Sequence, residues 1–292
     1  MSDFTAWEMG WRLATFVGVL AVMAAWELWM PRRELRVPKG RRWIANLGLA
    51  ALNTLVLRLL FPVAAMGTAA LAAERGWGLL QLLELPSSAR IVLTVILLDL
   101  AIYLQHLLFH AAPTLWRLHM VHHADLDFDL TTGIRFHPFE MILSMLLKLV
   151  VVAALGPPLL GVLLFEVLLN ASAMFNHGNV RLPAPLDGVL RRVLVTPDMH
   201  RVHHSVLRRE ANSNFGFCLS WWDRIFGTYC AQPEWGHEGM TIGVEQLQEL
   251  REQPIGRLLL LPFAAAPGPY PINRATQSEQ RHDDQRDAPD PR

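Results

Sequence analysis

The chain has only two cysteines, Cys218 and Cys230, among its 292 residues, and their spacing fits no metal-binding motif. Because iron–sulfur clusters of the common type need four cysteine thiolates, a cluster held in that way within this chain is excluded. There is no Gly-x-Gly-x-x-Gly loop, the usual signature of a dinucleotide site. Net charge is lacking as well, since 26 basic residues balance 26 acidic ones. The sequence therefore gives no electrostatic reason to expect nucleic acid as a partner.

Long apolar stretches dominate what is present, and hydrophobic residues make up 52% of the chain. A helix needs about 20 apolar residues to cross the hydrocarbon core of a bilayer. We therefore predict an all-α fold, a polytopic membrane helical bundle. The predicted membrane segments are 11–30, 43–73, 90–109 and a hairpin with arms at 139–155 and 159–176, separated by Gly156-Pro157-Pro158. Segment 43–73 contains Pro62 and is either one kinked helix or two shorter ones.

The basic loop 31–42 predicts the orientation of the chain in the membrane. Six of its twelve residues are Lys or Arg, which favours the cytosolic side. The first segment lacks a basic leader and is long, so we interpret it as a retained anchor and not a signal peptide. The hairpin leaves this side and returns to it, so both cysteines are expected to be reduced in the cytosol.

Histidines are concentrated in three short motifs with helical spacing. Residues at i, i+3 and i+4 share one face of a helix, so each motif predicts a face covered with imidazoles. Pro113 is placed to open a helix before the second motif, and Thr196-Pro197 to cap and open one before the third. The motifs are His106-x-x-x-His110, His119-x-x-His122-His123 and His200-x-x-His203-His204.

Two further histidines join this set at expected helix ends. His137 precedes Pro138 at a helix start, and His177 precedes Gly178 at a helix end. Ten converging imidazoles exceed the needs of one metal ion, so two ions are predicted. Imidazole suits iron, zinc, copper and nickel, so the ligand type does not select the metal. His237 and His282 lie outside the set.

Taken in order on a multi-span chain, the three motifs resemble those of the sterol desaturase and fatty acid hydroxylase superfamily. The resemblance covers about 95–230 and is strengthened by four other motifs. They are Arg135-Phe136-His137-Pro138-x-Glu140, Asn176-His177, Asn214-Phe215-Gly216 and Trp222-Asp223-Arg224-Ile225-Phe226-Gly227-Thr228-Tyr229.

This resemblance implies a membrane-bound di-iron oxygenase that uses two iron ions, dioxygen and external electrons on a C–H bond of a lipid. It leaves open whether the lipid is hydroxylated or desaturated. Because the chain shows neither a nucleotide loop nor a fused haem domain, the electrons are expected from a separate donor protein. The site is expected in a cytosolic helical cap on an integral membrane protein, in the inner membrane if the source is a bacterium.

The chain is expected to consist of three parts. N-terminal transmembrane helices occupy 1–94, and a fatty acid hydroxylase-type catalytic domain that includes the membrane hairpin at 139–176 occupies 95–263. A tail at 264–292, rich in Pro, Gln, Asp and Arg, is expected to be disordered.

Acidic and amide side chains near the motifs are candidates for orienting the histidines, because metal-bound imidazoles usually donate their second N–H to an acceptor. The alternating Asp125, Asp127 and Asp129 are instead interpreted as a solvated edge. The candidates are Asp99, Glu140, Asn176, Asp198 and Asp223.

Two other classes of protein remain as alternatives. A membrane zinc hydrolase would need a glutamate base, as in His-Glu-x-x-His, and no histidine motif here contains one. A non-enzymatic metal-binding or transport protein would place its ligands in mid-membrane, whereas these motifs lie at the ends of the predicted segments and beyond.

Overall fold

The computed structural model describes residues 2–250 and 253–274, with side chains from residue 10 to residue 273. Within these ranges the chain is helical and contains no β-strand. The helices are α1 (Ser2–Trp29), α2 (Lys39–Leu60), α3 (Ala64–Arg75), α4 (Leu79–Leu82), α5 (Ser87–Ala111), α6 (Pro113–His123), α7 (Pro138–Leu155), α8 (Leu159–Asn176), α9 (Ala184–Leu190), α10 (Pro197–His203), α11 (Arg208–Ala211), α12 (Trp221–Ile225), α13 (Gly236–Gly239) and α14 (Ile255–Ala264).

Five stretches among the described residues are long and apolar enough to cross a membrane. This confirms the prediction of an all-α, polytopic bundle, and the chain is an integral membrane protein. The stretches are Gly10–Trp29, Lys39–Leu82, Ser87–Ala111, Pro138–Leu155 and Leu159–Asn176.

The alternatives left open for 43–73 are settled in favour of two helices. α2 ends where Phe61 donates its backbone N–H to Leu57, and α3 begins at Ala64. Pro62 lies in the gap and lacks the N–H that would continue the ladder. α3 then packs on α7 and α8, so the break lets one stretch of chain cover two faces of the bundle.

The predicted hairpin is formed by α7 and α8. Gly156 ends α7 with a φ of +58°. Gly78 also has a positive φ, and a Cβ built on it would lie 2.2 Å from the backbone nitrogen of Gly156. Gln81 donates its side-chain amide to the Gly156 carbonyl at 2.7 Å. Glycine is needed at both positions, and this contact holds the turn against the α3–α4 connection.

The segments 30–38, 112–137, 177–250 and 253–254 lie together at one end of the bundle and are called the cap here. α1, α5 and α8 end at this side of the bundle, and α2 and α7 begin there, so each of the first three segments of the cap is joined to a membrane helix. The cap carries the second and third histidine motifs, and the first lies at the adjoining C-terminal end of α5. α5 runs unbroken across the predicted boundary between residues 94 and 95.

The interpretation of Asp125, Asp127 and Asp129 as a solvated edge is wrong, because all three are fully buried. Arg42, from the start of α2, donates to Asp125 at 2.7 Å and to Asp129 at 2.6 Å. Asp127 accepts the backbone N–H of Val37 at 2.8 Å. Burial alone would raise the pKa of Asp125, but the Arg42 guanidinium holds it below its ordinary value.

Part of the segment expected to be a disordered tail is packed on the cap. Trp116 donates its indole N–H to the Pro267 carbonyl at 2.8 Å and stacks on Tyr270, with ring centroids 5.3 Å apart. Tyr270 is buried and donates its hydroxyl to the Val206 carbonyl at 2.8 Å. These contacts hold the first part of the predicted tail against the cap. The rest of that tail, beyond residue 274, lies outside the described residues.

Candidate metal centre

Nine histidines from the cap and from the adjoining end of α5 converge as two groups, and in each group the candidate ligand nitrogens lie within 4.8 Å of one another. All nine side chains are buried. The first group is His106, His110, His119, His123 and His203, and the second is His122, His177, His200 and His204.

Local sequence signals put these side chains in place. α5 presents its two histidines one turn apart at its C-terminal end. Pro113 is the first residue of α6, as predicted. Thr196 caps α10 by accepting the backbone N–H of Met199 at 3.4 Å. His177 follows the last residue of α8, which is where its sequence context predicted it.

The outer nitrogens of several rings meet groups that fix their protonation. The Nδ1 atom of His122 lies 3.2 Å from the Arg135 carbonyl, and that of His177 lies 2.8 Å from the Ala173 carbonyl. Because a carbonyl oxygen only accepts, each Nδ1 carries the proton and each Nε2 presents a lone pair. The Nδ1 atom of His106 is likewise 2.9 Å from the Phe215 carbonyl.

The Nε2 atoms of His122 and His177 therefore face each other without a proton between them. The Nε2 atoms of His122 and His177 are 3.2 Å apart, and those of His106 and His119 are 3.1 Å apart. Two lone pairs at this distance repel unless a cation lies between them. With metal–nitrogen bonds of about 2.0–2.1 Å, imidazoles bound to one ion are separated by about this much. The residues present therefore fit metal ions, one for each group.

The protonation state of the histidines also suits metal binding, because their rings are neutral near pH 7. Burial lowers the pKa of His119 to about 3 and that of His177 to about 3. Burial and neighbouring imidazoles likewise depress the pKa of His203 and of His204. Protons do not compete with a metal for neutral rings near pH 7.

The two groups adjoin each other. His122 and His123 are consecutive on α6 but belong to different groups, with ring centroids 5.4 Å apart. His203 and His204 bridge the groups in the same way, also at 5.4 Å. α6 and the end of α10 thus tie both groups into one centre.

His137, the tenth predicted ligand, lies outside both groups. It caps α7, where its Nδ1 atom accepts the backbone N–H of Phe139 at 3.1 Å. Its Nε2 atom lies 3.2 Å from the Leu259 carbonyl on α14. Both ring nitrogens are therefore occupied. His237 is buried near Asp198, away from the groups, as expected.

Two of the candidates for orienting histidines contact a clustered ring. A Glu140 carboxyl oxygen lies 2.7 Å from the Nδ1 atom of His119, and the Asn176 side-chain oxygen lies 2.5 Å from the Nδ1 atom of His177. Asp223 contacts no clustered ring itself. It accepts the backbone N–H groups of Phe215 and Gly216 and so holds in place the Phe215 carbonyl, which faces His106.

Asp99 and Asp198 have other partners. Asp99 accepts from the backbone of Cys218 and Leu219 and from the Trp222 indole at 2.9 Å. Asp198 pairs with Arg32 and Arg201. Both brace the cap without touching the clustered histidines.

Sequence reasoning missed several groups that do touch the clustered rings. The Asn212 side-chain oxygen lies 3.1 Å from the Nδ1 atom of His110, and the Ser213 carbonyl lies 2.7 Å from that of His203. Asn212 also donates to the Tyr270 carbonyl, which fixes the direction of its amide. The only sequence signal nearby was the Asn214-Phe215-Gly216 motif, which directly follows both residues.

Comparisons with known proteins agree with this geometry. The fatty acid hydroxylase family model matches residues 91–228. The chain is 31% identical to ornithine lipid hydroxylase OlsE of Rhizobium tropici over 51% of this chain and 44% of the relative. It is 28% identical to alkylglycerol monooxygenase of Xenopus tropicalis, over 79% and 51% respectively, and 27% identical to that of Homo sapiens, over 53% and 34%.

The chain spans about half or less of the length of these curated relatives. No solved structure gives a significant match. The relatives are named a hydroxylase and a monooxygenase, both of which are oxidoreductases. The resemblance seen in the sequence is confirmed: residues 91–228, which carry all nine clustered histidines, match the fatty acid hydroxylase family model of the sterol desaturase superfamily.

Proposed function

We propose that the chain is an oxidoreductase, a membrane-bound di-iron oxygenase that hydroxylates a C–H bond of a lipid. The observation that carries this proposal is the pair of adjoining histidine groups whose unprotonated nitrogens converge. Hydroxylation is favoured over desaturation because the relatives are named for hydroxylation and monooxygenation.

Two irons are the metal content we propose. Imidazole is a good ligand for iron, and no cysteine or clustered carboxylate in the described residues enters either group. Iron held there would supply the redox chemistry that activates dioxygen towards an unactivated C–H bond. A zinc hydrolase would need a glutamate base within a histidine motif, as in His-Glu-x-x-His, and none of the three motifs contains one. The transporter alternative lacks a mid-membrane site, because these ligands lie at one end of the bundle.

The chain's own residues hold the centre and keep water out. Phe136 stacks on His122 with centroids 4.5 Å apart, and Phe128 stacks on His177 at 5.4 Å. Phe215 packs edge-on against His110 at 5.0 Å. An apolar lining of this kind excludes water from reactive groups, while the Nδ1 partners hold each ring in a fixed orientation.

A separate protein is proposed as the electron donor. The chain has too few cysteines for a four-cysteine iron–sulfur cluster and no glycine-rich nucleotide loop. Hydroxylation with dioxygen places one oxygen atom in the product and one in water, which requires two electrons and two protons. We propose that the electrons reach the centre from the cap side.

Purified chain in lipid nanodiscs should be inactive with lipid and dioxygen alone. Addition of a reductase system or a chemical reductant should start turnover, because the metals need external electrons. Mass spectrometry of lipids from cells with and without the gene should show a product heavier by one oxygen atom. A product lighter by two hydrogens would instead establish desaturation. Turnover without any reductant, or active protein that holds only zinc, would contradict the proposal.

The cap is proposed to face the cytosol, because loop 31–42 carries six basic residues. We expect Glu34→Cys, in a Cys230→Ser background, to react with an impermeant maleimide only in inside-out vesicles. Glu84→Cys is the matched control, since it lies just before α5 at the opposite end of the bundle and should react only in right-side-out vesicles. The reverse pattern would place the cap on the outer side.

A further inference from the structure

Two short segments of the cap expose apolar side chains although they lie outside the five candidate membrane stretches. These segments, 184–195 and 217–226, are called the wedge here. Val189 is 61% exposed and Ile225 66%. Scattered single apolar residues are normal on a surface, but a contiguous set marks a contact site. The exposed members are Leu186, Val189, Val193, Leu194, Trp221, Ile225 and Phe226.

The two segments form one rigid unit. Ser220 donates its backbone N–H to the Val193 carbonyl at 3.0 Å, and Val195 donates to the Cys218 carbonyl at 3.0 Å. The Ser220 hydroxyl also donates to the Arg191 carbonyl at 2.7 Å. The apolar side chains are therefore held by a bonded scaffold and do not belong to a loose loop.

The contacts of the wedge with α5 fix the position of the wedge along this membrane helix. Trp222 donates to Asp99, which is seven residues before His106 and so roughly 10 Å farther from the cap end of α5. Phe226 stacks on Tyr103 with centroids 5.3 Å apart. Leu104 and Leu108, nearer the cap end, are still about half exposed on this membrane helix. The wedge therefore contacts α5 at a level where the surface of this helix is still apolar.

Charged residues of the two segments border the apolar side chains of the wedge, as they do at a membrane interface. Arg192 and Arg224 are exposed, and the Arg224 guanidinium lies 3.9 Å from the ring centroid of Tyr229. Arginines at such a boundary bury their stems and direct their charge to lipid phosphates, and tryptophan is enriched there. Trp221 is held at this edge by donating its indole N–H to the Arg192 carbonyl at 3.1 Å.

We propose that the wedge inserts into the leaflet on the cap side, with Ile225, Phe226 and Val189 in the acyl region and the arginines at the phosphates. The apolar surface of the wedge then continues that of α5, and the bilayer covers both. The histidine centre would lie just above this leaflet, within reach of a lipid that does not leave the membrane. The insertion itself does not depend on the reaction performed at the histidines.

The test uses spin labels on the full-length chain in nanodiscs of phosphatidylcholine and phosphatidylglycerol. Ile225→Cys and, separately, Val189→Cys are labelled in a Cys230→Ser background; Cys218 is buried. Collision rates are measured with dioxygen, which concentrates in the acyl region, and with a water-soluble nickel chelate. The control is Glu234→Cys, an exposed cap position paired with Arg209.

We expect nickel collision rates at residues 225 and 189 that are several-fold lower than at 234, with oxygen collision rates that are higher. Nickel accessibility at both wedge positions equal to that at 234 would overturn the proposal. Low accessibility to both reagents, with dipolar broadening between labels, would also overturn it, because a second copy of the chain would then cover the wedge. Iron content and helical circular dichroism of each labelled protein establish that it is folded.

Discussion

Replacement of His203 by alanine, like replacement of His122, is expected to abolish turnover and to lower the iron content of the purified protein. His203 belongs to the five-histidine group and His122 to the four-histidine group. Each change removes one converging nitrogen, and the two groups share α6 and the end of α10. The measurement is iron per chain by elemental analysis, together with product formation under an external reductant. Both variants should still insert in the membrane, because neither change touches a membrane helix.

Two variants outside the groups serve as controls for this prediction. His237→Ala should retain most activity, because that ring contacts no clustered histidine. His137→Asn keeps a side chain that can cap α7, so it should retain iron if nine histidines are the full ligand set. Loss of iron in His137→Asn would restore the sequence-based prediction of a tenth ligand. Full iron and full turnover in His203→Ala would remove the basis for the two-metal centre.

The assembly of the nine histidines could be predicted because it depends on two regular features. The period of the α-helix places residues at i, i+3 and i+4 on one face, which groups the histidines of α5, α6 and α10. The hairpin of α7 and α8 crosses and returns, which puts His177 at the same end. Neither feature requires knowledge of distant contacts.

The contacts that sequence spacing did not predict join residues far apart in the sequence. Asp99, one of the candidates for orienting a histidine, precedes His106 by seven residues, which brings the two to a similar face of α5. However, seven residues also separate them by roughly 10 Å along the axis, so Asp99 meets Trp222 instead. His137 was placed correctly at a helix start, but its second nitrogen is taken by the Leu259 carbonyl, 122 residues away. Spacing along the chain carries no information about such a partner.

Asp125 shows the same limit, and it leads to a network that sequence reasoning did not find. Arg42 donates to Asp125, which also accepts from the Asn46 side chain at 3.1 Å. Asn46 in turn accepts from Arg135 at 2.9 Å, and the carbonyl of Arg135 faces the Nδ1 atom of His122. A chain of buried polar contacts therefore runs from α2 to a clustered histidine.

Arg42→Met is expected to destabilise the protein by about 3–5 kcal/mol, the usual cost of removing one partner of a buried ion pair. Arg42 and Asp125 are both fully buried, so the carboxylate would be left without its main counter-charge. The midpoint of thermal unfolding in detergent should fall, and iron content should fall with it, because the contacts that end at His122 loosen. Arg41→Met is the matched control, since Arg41 is the exposed neighbour on the same helix and its loss should leave both values nearly unchanged. Asp125→Asn added to Arg42→Met should recover part of the stability by removing the unpaired charge. Equal unfolding midpoints and equal iron contents for Arg42→Met and Arg41→Met would show that this network supports neither the fold nor the metal centre.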